Sequence, residues 1–209
     1  MPFPLPEEDG RLCADAISAL ERVGLAQVLA VGPGMGRSAG TIALTQRLVE
    51  SCGLPMVLDA DALYALAQDM SVLKRAGVPV VLTPHEMEYR RMGGDPGGDR
   101  VGNARAFAKE HGCILVLKGH RTLAAFPDGE VYISTRGNPG MAKGGTGDVL
   151  TGIIAAMLCQ LDAKRAVITA MQLHALCGDL CRDRLGEYAM TASDIIETLP
   201  EGTKMIIKE

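Results

Sequence analysis

The residues best suited to chemistry lie in one glycine-rich segment, NPGMAKGGTGDVLTG, at residues 138–152. Glycines let a backbone approach a ligand closely and turn its N–H groups toward it. The apolar run that follows, IIAAMLCQ, predicts a helix, and the first N–H groups of a helix are unpaired and carry partial positive charge. Gly144, Gly145, Thr146 and Gly147 therefore predict an anion site, most simply for phosphate. The segment is not a P-loop, because its lysine precedes the glycines and no GKS or GKT occurs.

An acid follows directly, because Asp148 falls in the first turn of the predicted helix. A carboxylate there can take a proton from a hydroxyl while nearby N–H groups stabilise charge on a transferred phosphoryl group. This combination predicts phosphoryl transfer onto an alcohol. The alternative is an ordinary helix-start acid behind a tight turn at Gly144 and Gly145. The ligand-like loops elsewhere in the chain favour the site.

Strand-like and helix-like runs alternate before this segment. The predicted strands are 26–32, 55–60, 79–85 and 113–119, and the predicted helices are 41–52, 61–68, 86–92 and 100–112. This order predicts an α/β fold, a mainly parallel sheet flanked by helices on both faces. The strands are continuous apolar runs, which is typical of strands buried on both faces. Asp61 is expected to cap the second helix.

The pattern changes after the fourth strand. RTLAAF and EVYIS flank the turn sequence PDG, which predicts an antiparallel hairpin. Two long helices are predicted at 148–160 and 163–186, and a last one begins at a cap, Thr191 or Ser193, and closes at Pro200. No repeat or linker occurs, so residues 1–209 are expected to form a single domain.

Four polar or glycine-rich stretches follow the predicted parallel strands. They are GPGMG at 32–36, DAD at 59–61, TPHEME at 83–88 and KGHRT at 118–122. In open α/β sheets, ligands bind beyond the carboxyl ends of the strands. The four stretches and the glycine-rich segment should therefore meet at one edge of the sheet and form one binding site.

Composition narrows the classes of partner. The net charge is −4 and aromatic residues make up 3%, which argues against nucleic-acid binding. No apolar run reaches the roughly 18 residues of a membrane span, and the first residues do not resemble a signal peptide, so a cytoplasmic protein without membrane partners is expected. Cys177 and Cys181 lie four apart near His174, but zinc would need further ligands, so buried thiols are favoured.

Several of these motifs resemble the ADP/ATP-dependent NAD(P)H-hydrate dehydratases of the ribokinase-like superfamily. The resemblance is carried by NPGMAKGGTGDVLTGIIAAMLCQ, KGHRT, TPHEMEYRRM, VLDADAL and VGPGMGR, and it runs over nearly the whole chain. It implies nucleotide-dependent repair of the hydrates of NADH and NADPH (NADHX and NADPHX), with the hydrate hydroxyl phosphorylated and phosphate then eliminated. ADP or ATP would be the co-substrate with Mg²⁺, ADP being the form expected here, and the protein would be a homo-oligomer such as a tetramer.

The resemblance also implies roles for single residues. The nucleotide would contact the KGHRT stretch and the glycine-rich turn, that is Lys118, Gly119, His120, Arg121, Thr122, Gly144, Gly145, Thr146 and Gly147. Asp148 would contact the hydrate as the base, and His85 and Gly36 would line the hydrate site. Glu88 matches more loosely an acid associated with magnesium. The plainer alternatives are a turn residue for His85 and solvated lysines for Lys118 and Lys143.

The sequence departs from the family at two points. Glu86-Met87 stands where members commonly have proline-glycine, and about two strand-helix units that usually precede PLPEEDGRL are absent, as is the epimerase domain of many bacterial members. An amino-terminally truncated domain with an exposed edge strand and an incomplete hydrate pocket is therefore expected. Two other functions stay open: a small-molecule kinase acting on a vitamin precursor, and a nucleotide-binding remnant without catalysis.

Overall fold

The structure is a computed structural model that describes residues 4–20 and 26–207. Its strands are β1 (Glu7–Glu8), β2 (Arg11–Leu12), β3 (Leu29–Val31), β4 (Met56–Leu58), β5 (Val80–Leu82), β6 (Ile114–Leu117), β7 (Leu123–Ala125) and β8 (Val131–Ile133). Its α-helices are α1 (Ala16–Leu20), α2 (Ala39–Ser51), α3 (Asp61–Leu66), α4 (Glu86–Arg91), α5 (Arg100–His111), α6 (Thr146–Leu158), α7 (Ala163–Ala189) and α8 (Ala192–Ile206). Short 3₁₀ helices cover Met70–Arg75 and Pro139–Met141.

Six strands form the main sheet in the order β3-β4-β5-β6-β7-β8. The first four are parallel, and β7 and β8 add an antiparallel hairpin at one side. The predicted α/β architecture is therefore confirmed, although the strands are shorter than the apolar runs suggested. Within the described residues β3 is an edge strand, and the small hairpin of β1 and β2 forms a separate sheet that the sequence did not predict.

Alternate residues of the buried strands pack into two apolar cores on opposite faces of the sheet. Leu58 of β4 packs with α2, α3 and α5 on one face, and its neighbour Val57 packs with α6, α7 and α8 on the other. Both side chains are fully buried. A strand enclosed on both sides must be apolar throughout, which is why these strands have no polar alternation.

The last helix is longer than predicted. Thr191 caps it through a capping box with Asp194, as expected, but α8 continues through Pro200 to Ile206. Pro200 is exposed, so water can reach the carbonyl group that loses its helical partner. Gly202 is buried, and a side-chain carbon there would lie 2.5 Å from the Cys177 sulfur, so close packing on α7 holds the helix beyond the proline.

Two further expectations are settled by the structure. Asp61 is the first residue of α3 and not its N-cap, so the predicted cap is wrong. The N-cap position is Ala60, which has no polar side chain to make a capping bond. Cys177 and Cys181 are both buried, as the helical spacing predicted. No helix in the described part of the chain is long and apolar enough to cross a membrane.

Candidate active site

The glycine-rich segment forms the start of α6, at the carboxyl end of the parallel strands. Gly145 precedes the helix with φ 89° and ψ −22°, a left-handed conformation that glycine adopts without strain. The Thr146 hydroxyl lies 2.7 Å from the Met141 carbonyl oxygen and 2.8 Å from that of Lys143, which fixes the turn. The backbone N–H groups of Gly147 and Asp148 have no partner among the described residues. This helix start can therefore accept an anion.

Asp148 lies in the first turn of α6 and is exposed. Its carboxylate has no hydrogen-bond or ion-pair partner within 4–20 and 26–207. A carboxylate that caps its own helix would be bonded there, as Asp194 is bonded to Thr191 in α8. Asp148 is instead free to meet a ligand beside the unpaired N–H groups.

Lys118 follows β6 and lies beneath this helix start. Its Nζ donates to Asp59 Oδ1 at 2.7 Å, and a side-chain carbon added to Gly147 would lie 3.2 Å from the same Nζ. The other oxygen of Asp59 accepts from the Thr151 hydroxyl at 3.0 Å. The ammonium group and the helix N-terminus thus place two sources of positive charge side by side.

The rest of the KGHRT stretch is a tight loop between β6 and β7. Gly119 and Arg121 have φ values of 147° and 56°, and Arg121 is one of few non-glycine residues with positive φ. Arg100 of α5 braces the loop, because its guanidinium donates to the carbonyl oxygens of Leu117, His120 and Arg121 at 3.1–3.3 Å. His120 and Arg121 expose their side chains, while Thr122 donates to the Gly119 carbonyl.

Gly36 lies in the loop after β3, beside a cavity of about 330 Å³ lined by Arg11, Met35, Gly36, Arg37 and Ser38. Asp61 holds this loop: its carboxylate accepts the Gly36 N–H at 2.9 Å and the Arg37 Nε at 2.7 Å. The hydrogen bond to Asp61 raises the pKa of Arg37. Two arginines thus line the cavity, and one of them, Arg37, is paired with Asp61.

His85 and Glu88 form the capping box of α4. His85 Nδ1 accepts the N–H groups of Met87 and Glu88, and Glu88 Oε2 accepts the His85 N–H at 2.9 Å. An accepting Nδ1 in a neutral ring assigns the proton to Nε2, which lies 3.4 Å from Glu88 Oε1. The His85 side chain remains 52% exposed. It therefore serves the turn, as the plainer alternative held, and still faces outward at the end of β5.

Two further side chains support the glycine-rich segment without facing a ligand. His174 of α7 contacts the Thr146 carbonyl oxygen through Nε2 at 3.0 Å, and burial lowers its pKa to about 4, so it donates as a neutral ring. Lys143 Nζ donates to the carbonyl oxygens of Glu187, Tyr188 and Met190 at 2.6–3.0 Å, between α7 and α8. Lys143 is thus neither solvated nor placed on a phosphate.

The predicted residues fall into three groups along one edge of the sheet. Lys118, Gly147 and Asp148 form one group, Gly36 and Asp61 a second, and His85 with Glu88 a third. The sequence marks 59–61 as a polar strand end, but nothing in it distinguishes Asp59, which is buried, from Asp61. The role of Arg100 could not be predicted from the sequence either, because its partners are backbone carbonyl groups about 20 residues away in the chain.

A family model described as NAD(P)H-hydrate dehydratase matches residues 3–201. The bifunctional NAD(P)H-hydrate repair enzyme Nnr of Moorella thermoacetica is 44% identical over 207 residues, which are 96% of this chain and 39% of that protein. The ADP-dependent (S)-NAD(P)H-hydrate dehydratase of Bacillus subtilis is 38% identical over 180 residues, 83% of this chain and 63% of that protein. The chain thus spans well under two thirds of the first relative and slightly under two thirds of the second.

Solved structures agree with the fold. The Bacillus subtilis ADP/ATP-dependent NAD(P)H-hydrate dehydratase, co-crystallised with ATP/Mg²⁺ and soaked with CoA, superposes with a TM-score of 0.76 at 34% identity, covering 86% of this chain and 66% of that one. A ribokinase-like superfamily protein from Enterococcus faecalis superposes with a TM-score of 0.78 at 30% identity, covering 91% and 67%. The fold is therefore ribokinase-like.

Proposed function

Because the chain belongs to the NAD(P)H-hydrate dehydratase family, we propose that it takes part in restoring hydrated NADH and NADPH by nucleotide-dependent dehydration. ADP is the expected phosphoryl donor, since the similar Bacillus subtilis enzyme is named ADP-dependent. One observation carries the proposal. The first turn of α6 carries unpaired N–H groups and the Asp148 carboxylate, which has no partner among the described residues, and the Lys118 ammonium lies beneath Gly147 in the same turn.

Each of these groups has a part in phosphoryl transfer. The helix N–H groups and the ammonium stabilise negative charge on the phosphoryl oxygens as the bond to the nucleotide breaks. Asp148 takes the proton of the hydrate hydroxyl as its oxygen bonds to phosphorus. The phosphate then leaves with its bonding electrons, a proton passes from the adjacent carbon to water, and the ring double bond forms. ADP would yield AMP and phosphate.

The nucleotide phosphates would lie between the KGHRT loop and the glycine-rich turn. Mg²⁺ fits here only together with the nucleotide, because no group of three His, Cys, Asp or Glu side chains in the described residues could hold a metal ion. Magnesium commonly uses one or two carboxylates plus phosphate oxygens and water. Glu88 is mostly committed to its capping box, so its link to magnesium stays a prediction.

The hydrate would occupy the edge of the sheet beside the nucleotide. Gly36 borders the cavity after β3 and His85 stands exposed after β5, so both can line a ligand placed between these strand ends. Arg11 and Arg37 line the same cavity and would supply positive charge near the phosphates of a dinucleotide. A homo-oligomer stays a prediction of the family resemblance, and a cytoplasmic location stays a prediction from the sequence.

The direct experiment incubates the protein with hydrated NADH and either ADP or ATP, with magnesium, and follows the return of dihydronicotinamide absorbance. We expect recovery that depends on the nucleotide, with AMP formed from ADP. Phosphorylation of a vitamin-precursor alcohol without dehydration would favour a kinase instead. Nucleotide binding without either reaction would favour a non-catalytic role for this chain.

A further inference from the structure

Asp59 is a buried carboxylate that the proposed chemistry does not use directly. It follows β4 and is 1% exposed. Oδ1 accepts from the Ala60 N–H at 2.8 Å and from Lys118 Nζ at 2.7 Å, and Oδ2 accepts from the Thr151 hydroxyl at 3.0 Å. Burying an ion pair costs desolvation that its attraction only partly offsets, so apolar residues would stabilise the same place as well or better. A role beyond stability is therefore indicated.

The backbone around Asp59 is also held in an unfavourable form. Ala60, the next residue, has φ 48° and ψ −115°, a conformation that L residues rarely adopt. Gly32 packs so closely that a side-chain carbon there would lie 1.8 Å from the Asp59 carbonyl oxygen. Strain and close packing thus fix the backbone of Asp59, and the hydrogen bonds from Ala60, Lys118 and Thr151 hold its carboxylate in one position.

That position determines where the Lys118 ammonium lies. A lysine has a flexible stem and would otherwise sample several positions in water. Here the Asp59 side chain is 2% exposed and that of Lys118 is 20% exposed, so the carboxylate stands behind the ammonium and the ammonium faces the opening. The Gly147 backbone lies directly above, because its missing side-chain carbon would be 3.2 Å from Nζ and 3.8 Å from Asp59 Oδ2.

We propose that Asp59 is a positioning residue that holds the Lys118 ammonium against the phosphoryl group at the start of α6. The inference rests on the proposed function, because it names the group that orients the cation for phosphoryl transfer. Lys118 contacts the phosphate and Asp59 acts only through Lys118. Thr151 fixes the far oxygen of the carboxylate and so keeps Oδ1 turned toward the lysine.

The test is a double-mutant cycle with Asp59→Asn, Lys118→Met and the double variant, measured as kcat and KM in the dehydration assay. Removing one positioned donor to a developing charge typically lowers kcat by about 10²–10³-fold, which we expect for Lys118→Met. Asp59→Asn should lose most of the same factor. The double variant should be no slower than Lys118→Met, because both changes remove one function. A double variant whose loss of kcat equals the product of the two single losses would overturn the inference.

A second variant covers the case in which Asp59→Asn does not fold. Thr151→Val keeps the ion pair but frees one carboxylate oxygen, so it should lower kcat in the parent and have no effect in the Lys118→Met background. An equal loss in both backgrounds would contradict the proposal. Lys164→Met is the matched control, because Lys164 pairs with Asp128 on the surface, and it should leave kcat unchanged.

The same double-mutant cycle can be measured with the Kd for ADP, determined by calorimetry, and this measurement does not depend on turnover. If the parent protein fails to dehydrate hydrated NADH, the proposed function fails, while the ADP cycle still decides this inference. A loss of ADP affinity in Asp59→Asn that disappears in the Lys118→Met background supports it. Independent losses, or none in either single variant, would refute it.

Discussion

At the scale of single residues, the contrast between two helix-start acids identifies the group to test. Asp194 of α8 is bonded to the Thr191 N–H and hydroxyl, and these bonds lower its pKa. Asp148 occupies the equivalent first turn of α6 and has no partner in the described chain. A capping acid is used by its own helix, whereas an unpartnered one at an anion-binding helix start is available to a substrate.

Asp148→Asn should therefore abolish most turnover and leave nucleotide affinity nearly unchanged. The amide keeps the shape of the side chain but cannot accept the proton, and a general base typically contributes about 10²–10⁴-fold. Turnover and calorimetry with ADP measure the two quantities separately. Asp194→Asn is the control, expected to lower stability and spare kcat. Near-normal turnover in Asp148→Asn would place the base elsewhere.

His174 gives a prediction on the pH dependence of stability. Burial lowers its pKa to about 4 in the folded protein, from an ordinary value of 6.5. Between these two pKa values His174 is protonated in the unfolded chain but neutral in the folded protein. The free energy of unfolding therefore decreases as the pH falls from 6.5 toward about 4. The full shift corresponds to up to about 3 kcal/mol.

His174→Gln tests this linkage. Glutamine can still donate to the Thr146 carbonyl but does not titrate, so the free energy of unfolding should fall less between pH 6.5 and pH 4 than in the parent. Urea unfolding at several pH values measures it, with His111→Gln as a comparison for a second histidine whose pKa burial also lowers. Parallel pH profiles for the parent and His174→Gln would show that His174 is not responsible.

At the scale of elements, the KGHRT loop depends on α5. The Arg100 guanidinium donates to two carbonyl oxygens of the loop and to that of Leu117 at the end of β6, and its buried Nε has no partner among the described residues. The positive φ of Arg121 is costly for a non-glycine residue, so the loop needs such bonds to hold its shape. We therefore expect Arg100 to preorganise the loop for the nucleotide proposed to bind there.

Arg100→Met should weaken ADP binding by about tenfold or more, because the loop must then be ordered at the moment of binding, and each tenfold corresponds to about 1.4 kcal/mol. Arg105→Met is the matched control on the same helix, since Arg105 donates to the Gly129 carbonyl in the β7–β8 turn and to no group of the KGHRT loop. Calorimetry on both variants is the measurement. Equal ADP affinities would show that the loop holds its shape without Arg100.

Sequence reasoning succeeded for elements with strong local signals and failed where distant contacts decide. The parallel strands, the hairpin around PDG and the cap at Thr191 follow from local pattern. The extension of α8 past Pro200 depends on Gly202 packing against Cys177 of another helix. What distinguishes Asp59 from Asp61 is its contact with one lysine and one threonine, which lie 59 and 92 residues away in the chain.

At the scale of the whole molecule, the two cores determine where the site can be. Helices on both faces leave the strand edges and ends open, and the loops after β4, β5 and β6 share the carboxyl end of the sheet. The start of α6 is brought to the same end because α6 packs on one face with α7. Nucleotide phosphates bound there would link the β6–β7 loop to α6.

This linkage predicts that ADP stabilises the folded protein as a whole. A ligand that binds only the folded state adds about 2.7 kcal/mol at 100 times its Kd, and in a domain of this size each kcal/mol raises Tm by about 2–4 °C. We therefore expect an increase in Tm of about 5–10 °C with saturating ADP and magnesium. Adenosine, which lacks the phosphates, should give little change, and Lys118→Met should reduce the ADP effect because the ammonium beneath α6 is lost. Thermal unfolding followed by circular dichroism measures all three. A folded protein whose Tm does not respond to ADP or ATP would refute the placement of the nucleotide between KGHRT and GGTGD.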